Sequence, residues 1–253
     1  MNFLAFADPL NLHRIMPAEG ATVTAWPSGG IAIVVSGGAT RASIRHARLP
    51  DHLIAPFVIA ADGGLDAALG LGFGVDLVIG DFDSVDPVQL EAMRMLDPSP
   101  QFERFAAEKD ATDLELAMDA AWFRGARSIV VVDSMCGRVD HFLATAMLLA
   151  NVRYRDAVVT ACIDGAVVHV VHGGSICTFQ ARGSAALVSV LAVGGDALGV
   201  RTTNLVYPLN GEMLCANATR GMSNVVVAAN VAVTVAVTEG VVLVIEPEAE
   251  DLR

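Results

Sequence analysis

The sequence predicts an α/β fold: a mostly parallel sheet flanked by helices, followed by an all-β, sandwich-like domain. Up to about residue 151, short apolar runs alternate with helical stretches, which is the pattern of a parallel sheet with crossover helices. After about residue 155, only short strand-like segments remain, separated by glycine-rich turns, as in a sandwich or barrel. The 253 residues suffice for one large domain or two small ones.

The first part contains four apolar runs suited to strands that are buried on both faces. These runs are Ile31–Ser36, Phe57–Ala61, Leu77–Gly80 and Ile129–Val132. Helical stretches are predicted at Leu65–Leu71, Pro87–Leu96, Asp113–Arg124 and Asp140–Val152. Ligands bind beyond the carboxyl ends of the strands in such sheets. We therefore expect Asp62, Asp81 and Asp133, which each follow an apolar run, to share that edge.

The second part contains six predicted strands. They are Ala157–Ile163, Val167–Val171, Ser175–Gln180, Ala185–Val193, Asn224–Val237 and Val241–Ile245. Residues 1–29 show little periodicity and contain three prolines, so we interpret them as an irregular extension. The predicted division is 1–29, 30–160 and 161–253.

Composition and charge exclude several classes of protein. The net charge of −12 argues against a nucleic-acid partner, because phosphate backbones need a basic face. Four cysteines without CxxC spacing indicate reduced thiols and a cytoplasmic protein. The most apolar stretch, Val225–Val237, is interrupted by Asn230 and is shorter than the roughly 20 residues of a membrane helix. We expect a soluble protein without a membrane partner.

Acidic residues gather after the predicted strands of the first part. Asp62 follows one strand, and Asp81, Asp83 and Ser84 follow the next. Carboxylates that lie close together repel one another unless a cation separates them, and Mg²⁺ prefers one or two carboxylates plus substrate phosphates. Asp81 and Asp83 can face one cation, and Ser84 can donate to a phosphate. The structural alternative is an acidic turn that caps the following helix.

Lys109, the only lysine of the chain, opens a third cluster with Asp110, Thr112 and Asp113. Thr112 and Glu115 form a capping box for the predicted helix, which explains these two residues structurally. Capping leaves Lys109 unexplained in a chain with fifteen arginines. A single lysine beside acidic residues, just before a helix N-terminus, suits a phosphate.

The fourth cluster contains Arg138, Asp140 and His141, just before an apolar helix. Arginine offers a planar fork of donors for a phosphate, and His141 can donate to a ligand oxygen. The structural alternative makes Asp140 the helix N-cap and His141 a first-turn residue. Similarly, Gly63-Gly64 either allows close backbone approach to a ligand or forms a simple turn.

Two common nucleotide motifs are absent from the sequence. The only lysine follows Glu108, so the chain has no Walker A loop. No Gly-x-Gly-x-x-Gly follows the first predicted strand, which argues against dinucleotide binding.

Taken in order, these motifs resemble those of the thiamine pyrophosphokinase (thiamine diphosphokinase) family. The matching stretches are Ala61–Gly64, Val78–Ser84, Lys109–Ala117, Gly137–His141, Leu205–Leu209 and Arg220–Asn224. Each stretch is weak alone, but the ordered set is specific. Two features depart from the family pattern: Asp133–Cys136 replaces small glycine-rich residues, and no aromatic residue follows Asn224.

The resemblance implies a homodimer with an α/β nucleotide- and Mg²⁺-binding domain (30–160) and a β-sandwich thiamine-binding domain (161–253). Members of this family transfer the diphosphate group of ATP to the hydroxyl of thiamine and release AMP. The implied metal ligands are Asp81, Asp83 and Asp113; the implied catalytic residues also include Lys109, Asp110 and Arg138. The implied nucleotide-binding residues are Asp62, Gly63, Gly64, Ser84, Thr112, Arg138, Asp140 and His141. Ser223 and Asn224 would contact thiamine near the subunit interface.

Two alternatives remain open at this point. Val78–Ser84 also resembles the nucleophile motif of haloacid-dehalogenase-type phosphatases, but two predicted strands precede it and no lysine follows Lys109. The other alternative is a non-catalytic thiamine- or nucleotide-binding module. Binding alone rarely needs so many mutually repelling carboxylates.

Overall fold

The computed structural model describes residues 30–44, 56–83, 85–96, 99–106, 108–135, 137–181, 183 and 185–248. The predicted extension over residues 1–29 lies outside these ranges, as do Ser84 and Cys136. Two sheets make up the β-structure of the described residues: one has ten strands and the other has four.

The first half of the described chain alternates strands and helices. The strands are β1 (Ile31–Val35), β2 (Phe57–Ala61), β3 (Leu77–Gly80), β4 (Gln101–Arg104), β5 (Ser128–Asp133) and β6 (Val158–Ile163). The helices are α1 (Gly64–Gly70), α2 (Pro87–Arg94), α3 (Asp113–Phe123) and α4 (Val139–Leu149). α3 and α4, the longest, have 11 residues each, so none of the described helices can cross a membrane.

The second half contributes strands only. They are β7 (Ala166–His172), β8 (Ile176–Gln180), β9 (Leu187–Ala192), β10 (Ala197–Thr203), β11 (Asn210–Leu214), β12 (Asn224–Val225), β13 (Ala232–Ala236) and β14 (Val241–Glu246). Glycines with positive φ form several of the turns between them, as the glycine-rich spacing predicted.

The ten-stranded sheet joins both halves in the order β12-β9-β14-β7-β6-β5-β1-β2-β3-β4. From β4 to β6 the strands are parallel, and from β6 to β12 they are antiparallel. The second sheet, β11-β10-β13-β8, shares an apolar core with the antiparallel strands. The predicted fold class, a mostly parallel sheet followed by a β-sandwich, is confirmed. Because β6 pairs with both β5 and β7, the predicted division at residue 160 falls within a continuous sheet.

Alternating residues of the parallel strands belong to two different apolar cores. Ala32 and Val34 of β1 pack in the core that includes α3, whereas Ile33 and Val35 pack in the core that includes α1 and α2. Successive side chains of a strand point to opposite faces, so a strand with helices on both sides must be apolar throughout. This explains why uninterrupted apolar runs predicted these strands correctly.

Three strands escaped prediction and one was predicted too long. β4, β10 and β11 contain many polar residues, because these strands lie at a sheet edge or have an exposed face. The predicted strand Asn224–Val237 is in fact β12 and β13, separated by a turn in which Asn230 has a φ of 59°. An apolar run in the sequence does not show where a strand ends or with which other strand it pairs.

Candidate active site

Three carboxylates meet at the carboxyl edge of β2 and β3. One oxygen from each of Asp62, Asp81 and Asp83 lies within 4.8 Å of the other two, so the three can share a metal ion. Two hydrogen bonds fix this arrangement. The Asp62 amide donates to the Ile79 carbonyl at 2.7 Å, and Asp62 Oδ1 accepts from the Phe82 amide at 3.1 Å. The turn after β2 is thereby tied to the turn after β3.

Asp81 is held in its charged form before any ligand binds. Its Oδ1 accepts from the amide of Asp83 at 3.1 Å, and its other oxygen lies 3.7 Å from Lys109 Nζ. The Asp83 N–H, assisted by the nearby lysine, lowers the pKa of Asp81 below its usual value. Asp81 is therefore ready to bind a cation at neutral pH.

Lys109 lies between Asp81 and Asp113, which was predicted as the third metal ligand. Its Nζ is 3.0 Å from Asp113 Oδ1, and the lysine side chain is only 15% exposed. Burial raises the pKa of Asp113; Lys109 opposes this shift, whereas Asp62 and Asp81 add to it. Asp113 thus belongs to the same electrostatic cluster, although its contact in this structure is with Lys109.

Thr112 starts α3 at the mouth of this cluster. Its Oγ1 accepts from the amide of Glu115 at 3.1 Å, as the predicted capping box requires. The cap aligns the first turn of the helix so that Asp113 points toward Lys109. Asp110 is exposed and lies outside the cleft lining.

Arg138 and Asp140 form a bidentate pair with each other. The two distances are 2.9 Å from Nε to Oδ1 and 2.7 Å from Nη2 to Oδ2. The pair lowers the pKa of Asp140 and raises that of Arg138, yet both side chains are more than 60% exposed. The N-cap of α4 is Arg138, not Asp140, because the helix begins one residue earlier than predicted.

A cleft of ≈ 840 Å³ runs along this edge of the sheet. It is lined by eight of the predicted site residues: Asp62, Gly63, Asp81, Lys109, Thr112, Asp113, Arg138 and His141. Its remaining walls come from the segments that follow β1 and β5 and from helices α1, α3 and α4. The strand-end residues Asp62, Asp81 and Asp133 share this edge, as expected.

Several cleft residues were not predicted as site residues. Asp133, buried at the end of β5, accepts hydrogen bonds from Ser36 Oγ and from Thr145 Oγ1, the latter at 3.0 Å. Asp66, in the first turn of α1, has one buried oxygen without a hydrogen-bond partner among the described residues. Asp66 also lines the cleft. Only its position one turn after Asp62 could have indicated it from sequence.

Gly64 has a packing role that is visible in the geometry. A Cβ added to Gly64 would lie 2.1 Å from the carbonyl oxygen of Val35, so only glycine lets α1 approach β1 this closely. Gly63, its neighbour, lines the cleft, whereas Gly64 is buried and is not part of the cleft lining.

The two predicted thiamine-binding residues lie far from the cleft. Ser223 and Asn224 are at β12, seven strand positions from β2, which corresponds to roughly 34 Å along the sheet. Asn224 is buried, and its amide is already engaged with the backbone of Tyr207. Ser223 is exposed and has a φ of 52°. Along the sheet, Ser223 and Asn224 are therefore remote from the acidic cluster of the same chain.

Comparison with known proteins agrees with this architecture. Residues 50–161 match the family model for the thiamin pyrophosphokinase catalytic domain. Residues 177–242 match that for the thiamin pyrophosphokinase vitamin B1 binding domain. Together the two matches take in more than two thirds of the chain.

A relative found by sequence comparison belongs to the same family. Thiamine pyrophosphokinase of Bacillus subtilis (strain 168) is 36% identical over 91 residues, a stretch that covers 36% of this chain and only 42% of that relative.

Solved structures match over nearly their whole lengths. The thiamine pyrophosphokinase structure from Bacillus subtilis has a TM-score of 0.71 at 23% identity, covering 87% of this chain and 99% of that one. The structure from Geobacillus thermodenitrificans has a TM-score of 0.68 at 25% identity, with coverages of 88% and 100%. Both halves of the fold and both family matches lead to one conclusion: this chain belongs to the thiamin pyrophosphokinase family.

Proposed function

We propose that this protein transfers the diphosphate group of ATP to the hydroxyl of thiamine, with Mg²⁺, giving thiamine diphosphate and AMP. The observation that carries the proposal is the convergence of Asp62, Asp81 and Asp83 beside Lys109, in a chain of this family. Three carboxylates at this distance repel one another, so an added cation stabilises them. A metal–triphosphate complex supplies that cation together with the substrate.

The proposed metal ligands are Asp81, Asp83 and Asp113, with Asp62 as a further candidate. Carboxylate oxygens are the ligands that Mg²⁺ prefers, and bound Mg²⁺ would neutralise phosphate charge and orient the triphosphate. Asp113 becomes available when Lys109 leaves it for a phosphate oxygen. The two partners of Lys109 are both carboxylates, so a phosphate replaces one anion by another.

The reaction is an in-line displacement at the β-phosphorus. The thiamine oxygen forms the new bond, the bond from the β-phosphorus to the α-bridging oxygen breaks, and AMP leaves. Catalysis of such transfers rests on positioning and charge neutralisation. Lys109 and Arg138 would compensate the negative charge that shifts toward AMP, and a cleft carboxylate would accept the hydroxyl proton.

Arg138 can change partners at small energetic expense. Its pairing with Asp140 is bidentate, but the pair is largely exposed to solvent, and such pairs contribute little to stability. A phosphate in the cleft can therefore take Arg138 from Asp140. Thr112, Gly63 and His141 line the same cleft and would contact the nucleotide.

We further propose that the active form is a cytoplasmic homodimer. The seven strand positions between β12 and β2 support a dimer, because across a subunit boundary a thiamine site at Ser223 can adjoin the partner's cleft. The functional division of the chain is then between the nucleotide part, residues 30–160, and the thiamine part, residues 161–253.

One assay separates this function from its rivals. Purified protein is incubated with ATP, Mg²⁺ and thiamine, and AMP and thiamine diphosphate are quantified. The expected result is equal amounts of both products, and Asp81→Asn or Asp113→Asn is expected to abolish turnover while the fold persists. Release of inorganic phosphate with a trapped aspartyl-phosphate on Asp81 would support a phosphatase. Binding of ATP or thiamine by calorimetry without AMP formation would support a binding module.

A further inference from the structure

Tyr207 is the most exposed aromatic side chain among the described residues, with 69% of its surface accessible. It lies between β10 and β11, outside any regular strand. Val206, Met222 and Val227, which come from the same loop and from the segments around β12, are each about half exposed. A tyrosine ring exposed beside other apolar side chains is typical of a binding surface.

The backbone around Tyr207 is held rigidly despite this exposure. The Tyr207 amide donates to Asn224 Oδ1 at 3.0 Å, and Asn224 Nδ2 donates to the Tyr207 carbonyl at 2.7 Å. The preceding amide, of Val206, donates to the Val225 carbonyl at 2.8 Å. With its main chain fixed, the ring keeps only two side-chain torsions, so it loses little entropy when a ligand covers it.

Both polar atoms of the Asn224 side chain bind neighbouring backbone groups. Its oxygen accepts from two amides, of Tyr207 and Val225, and its nitrogen donates to the Tyr207 carbonyl. The residue is also 95% buried. The Asn224 side chain therefore holds the backbone of Tyr207 in place.

Ser223 adjoins this pair at the surface. Its amide donates to Ser189 Oγ at 3.0 Å, and its φ of 52° turns the chain out of the β12 ladder. The isolated bridge between Leu205 and Val226 runs antiparallel, which brings Tyr207 opposite Asn224 and next to Ser223. A ligand that contacts Ser223 is thus within reach of the ring.

We propose that the Tyr207 ring binds the thiazolium ring of thiamine, and that Asn224 positions Tyr207 for this contact. The inference rests on the proposed function and names a residue for its second substrate. Thiazolium is a flat, permanently cationic heterocycle, and the face of a tyrosine ring attracts such cations. The surface of this acidic protein adds long-range attraction for a cation.

The first test separates aromatic contact from packing. Tyr207→Phe is expected to keep the KM for thiamine within about twofold, because the ring face remains. Tyr207→Leu is expected to raise that KM about tenfold, with the KM for ATP unchanged. Asn224→Ala is expected to raise the thiamine KM in the same direction. Met213→Ala, which shortens an exposed apolar side chain on β11, is the matched control and is expected to change neither constant.

The second test concerns the charge of the ligand. Calorimetry compares 5-(2-hydroxyethyl)-4-methylthiazole with its N-methylated thiazolium salt. The cation is expected to bind more tightly to the wild-type protein, and this preference is expected to disappear in Tyr207→Leu. If both probes bind the wild-type protein equally, the positive charge does not contribute to binding, and the inference is overturned.

The outcomes distinguish this inference from the proposed function. Wild-type AMP formation tests the function alone. If the wild-type protein is active but Tyr207→Leu keeps its thiamine KM, only the inference fails. A Tyr207→Leu variant that becomes monomeric in size-exclusion chromatography, with an unchanged thiamine KM, assigns the ring to the subunit contact and likewise overturns the inference.

Discussion

Lys109 Nζ lies 3.0 Å from Asp113 Oδ1, and the same ammonium group also faces Asp81 at 3.7 Å. The only lysine of the chain thus lies between carboxylates from two different parts of the sheet edge. Its positive charge partly offsets their mutual repulsion when no ligand is bound. A phosphate entering the cleft would meet Lys109 already directed toward the acidic cluster.

Removing this charge should impair catalysis more than stability. We expect Lys109→Met to lower kcat about 100-fold or more, because a donor that stabilises developing phosphate charge is lost. The measurement is steady-state AMP formation, with thermal unfolding to check the fold. Arg94→Met is the control, because Arg94 pairs with Glu91 on α2 at the surface, outside the cleft lining. Near-normal kcat in Lys109→Met would exclude the lysine from the chemistry.

Asp62 should contribute to metal affinity through its charge. Asp62→Asn keeps an oxygen that can accept from the Phe82 amide, so the link between β2 and β3 can persist while one negative charge is lost. We expect the Mg²⁺ concentration for half-maximal activity to rise about tenfold. Asp86→Asn is the matched control: Asp86 caps α2 by accepting from the Val88 amide at 2.8 Å, and asparagine caps equally well. An identical Mg²⁺ dependence in both variants would show that Asp62 is not a ligand.

The close approach of α1 to β1 should depend on Gly64. In Gly64→Ala, the new methyl group would lie 2.1 Å from the Val35 carbonyl oxygen, a backbone atom that cannot rotate away. We expect the free energy of unfolding to fall by about 3 kcal/mol, as for severe overpacking. Gly70→Ala in the same helix is the control, because a methyl group there meets nothing within 4 Å. Urea unfolding compares the two variants, and equal stabilities would contradict the packing role.

His172 should make the folded state less stable in mild acid. Burial lowers the pKa of His172, with Arg155 adding to this shift and Asp156 opposing it. Below about pH 6.5 the unfolded chain binds a proton at this histidine more readily than the folded protein does, so stability falls as the pH decreases through this range.

Replacing the imidazole tests this dependence. Urea midpoints at pH 7.5 and pH 5.5 should differ less in His172→Gln than in the wild-type protein, because glutamine does not titrate. A variant with the same pH dependence as the wild type would assign the effect to other groups.

The family and the fold class were both predictable from the sequence, and both are confirmed. Both were predictable because they depend on short sequence patterns and on the order in which these patterns follow one another along the chain. Apolar runs such as Leu77–Gly80 must be strands when helices cover both faces, and turn residues such as Asp81 must follow them. The capping of α3 by Thr112 was likewise predictable, because the cap and its partner lie three residues apart.

Other features were decided by contacts between segments distant in the sequence. In the folded chain, Asp62 rather than Asp113 lies close enough to Asp81 and Asp83 to share one cation with them. The reason is that the turns after β2 and β3 are hydrogen bonded to each other. Tertiary structure also puts β12 at the opposite end of the sheet from the cleft, because strand order is set by pairing and not by chain order. The sequence by itself determined which residues could do chemistry. Only the folding of the sheet determined which of them meet, since side chains from separate loops acquire fixed distances through the backbone pairing beneath them.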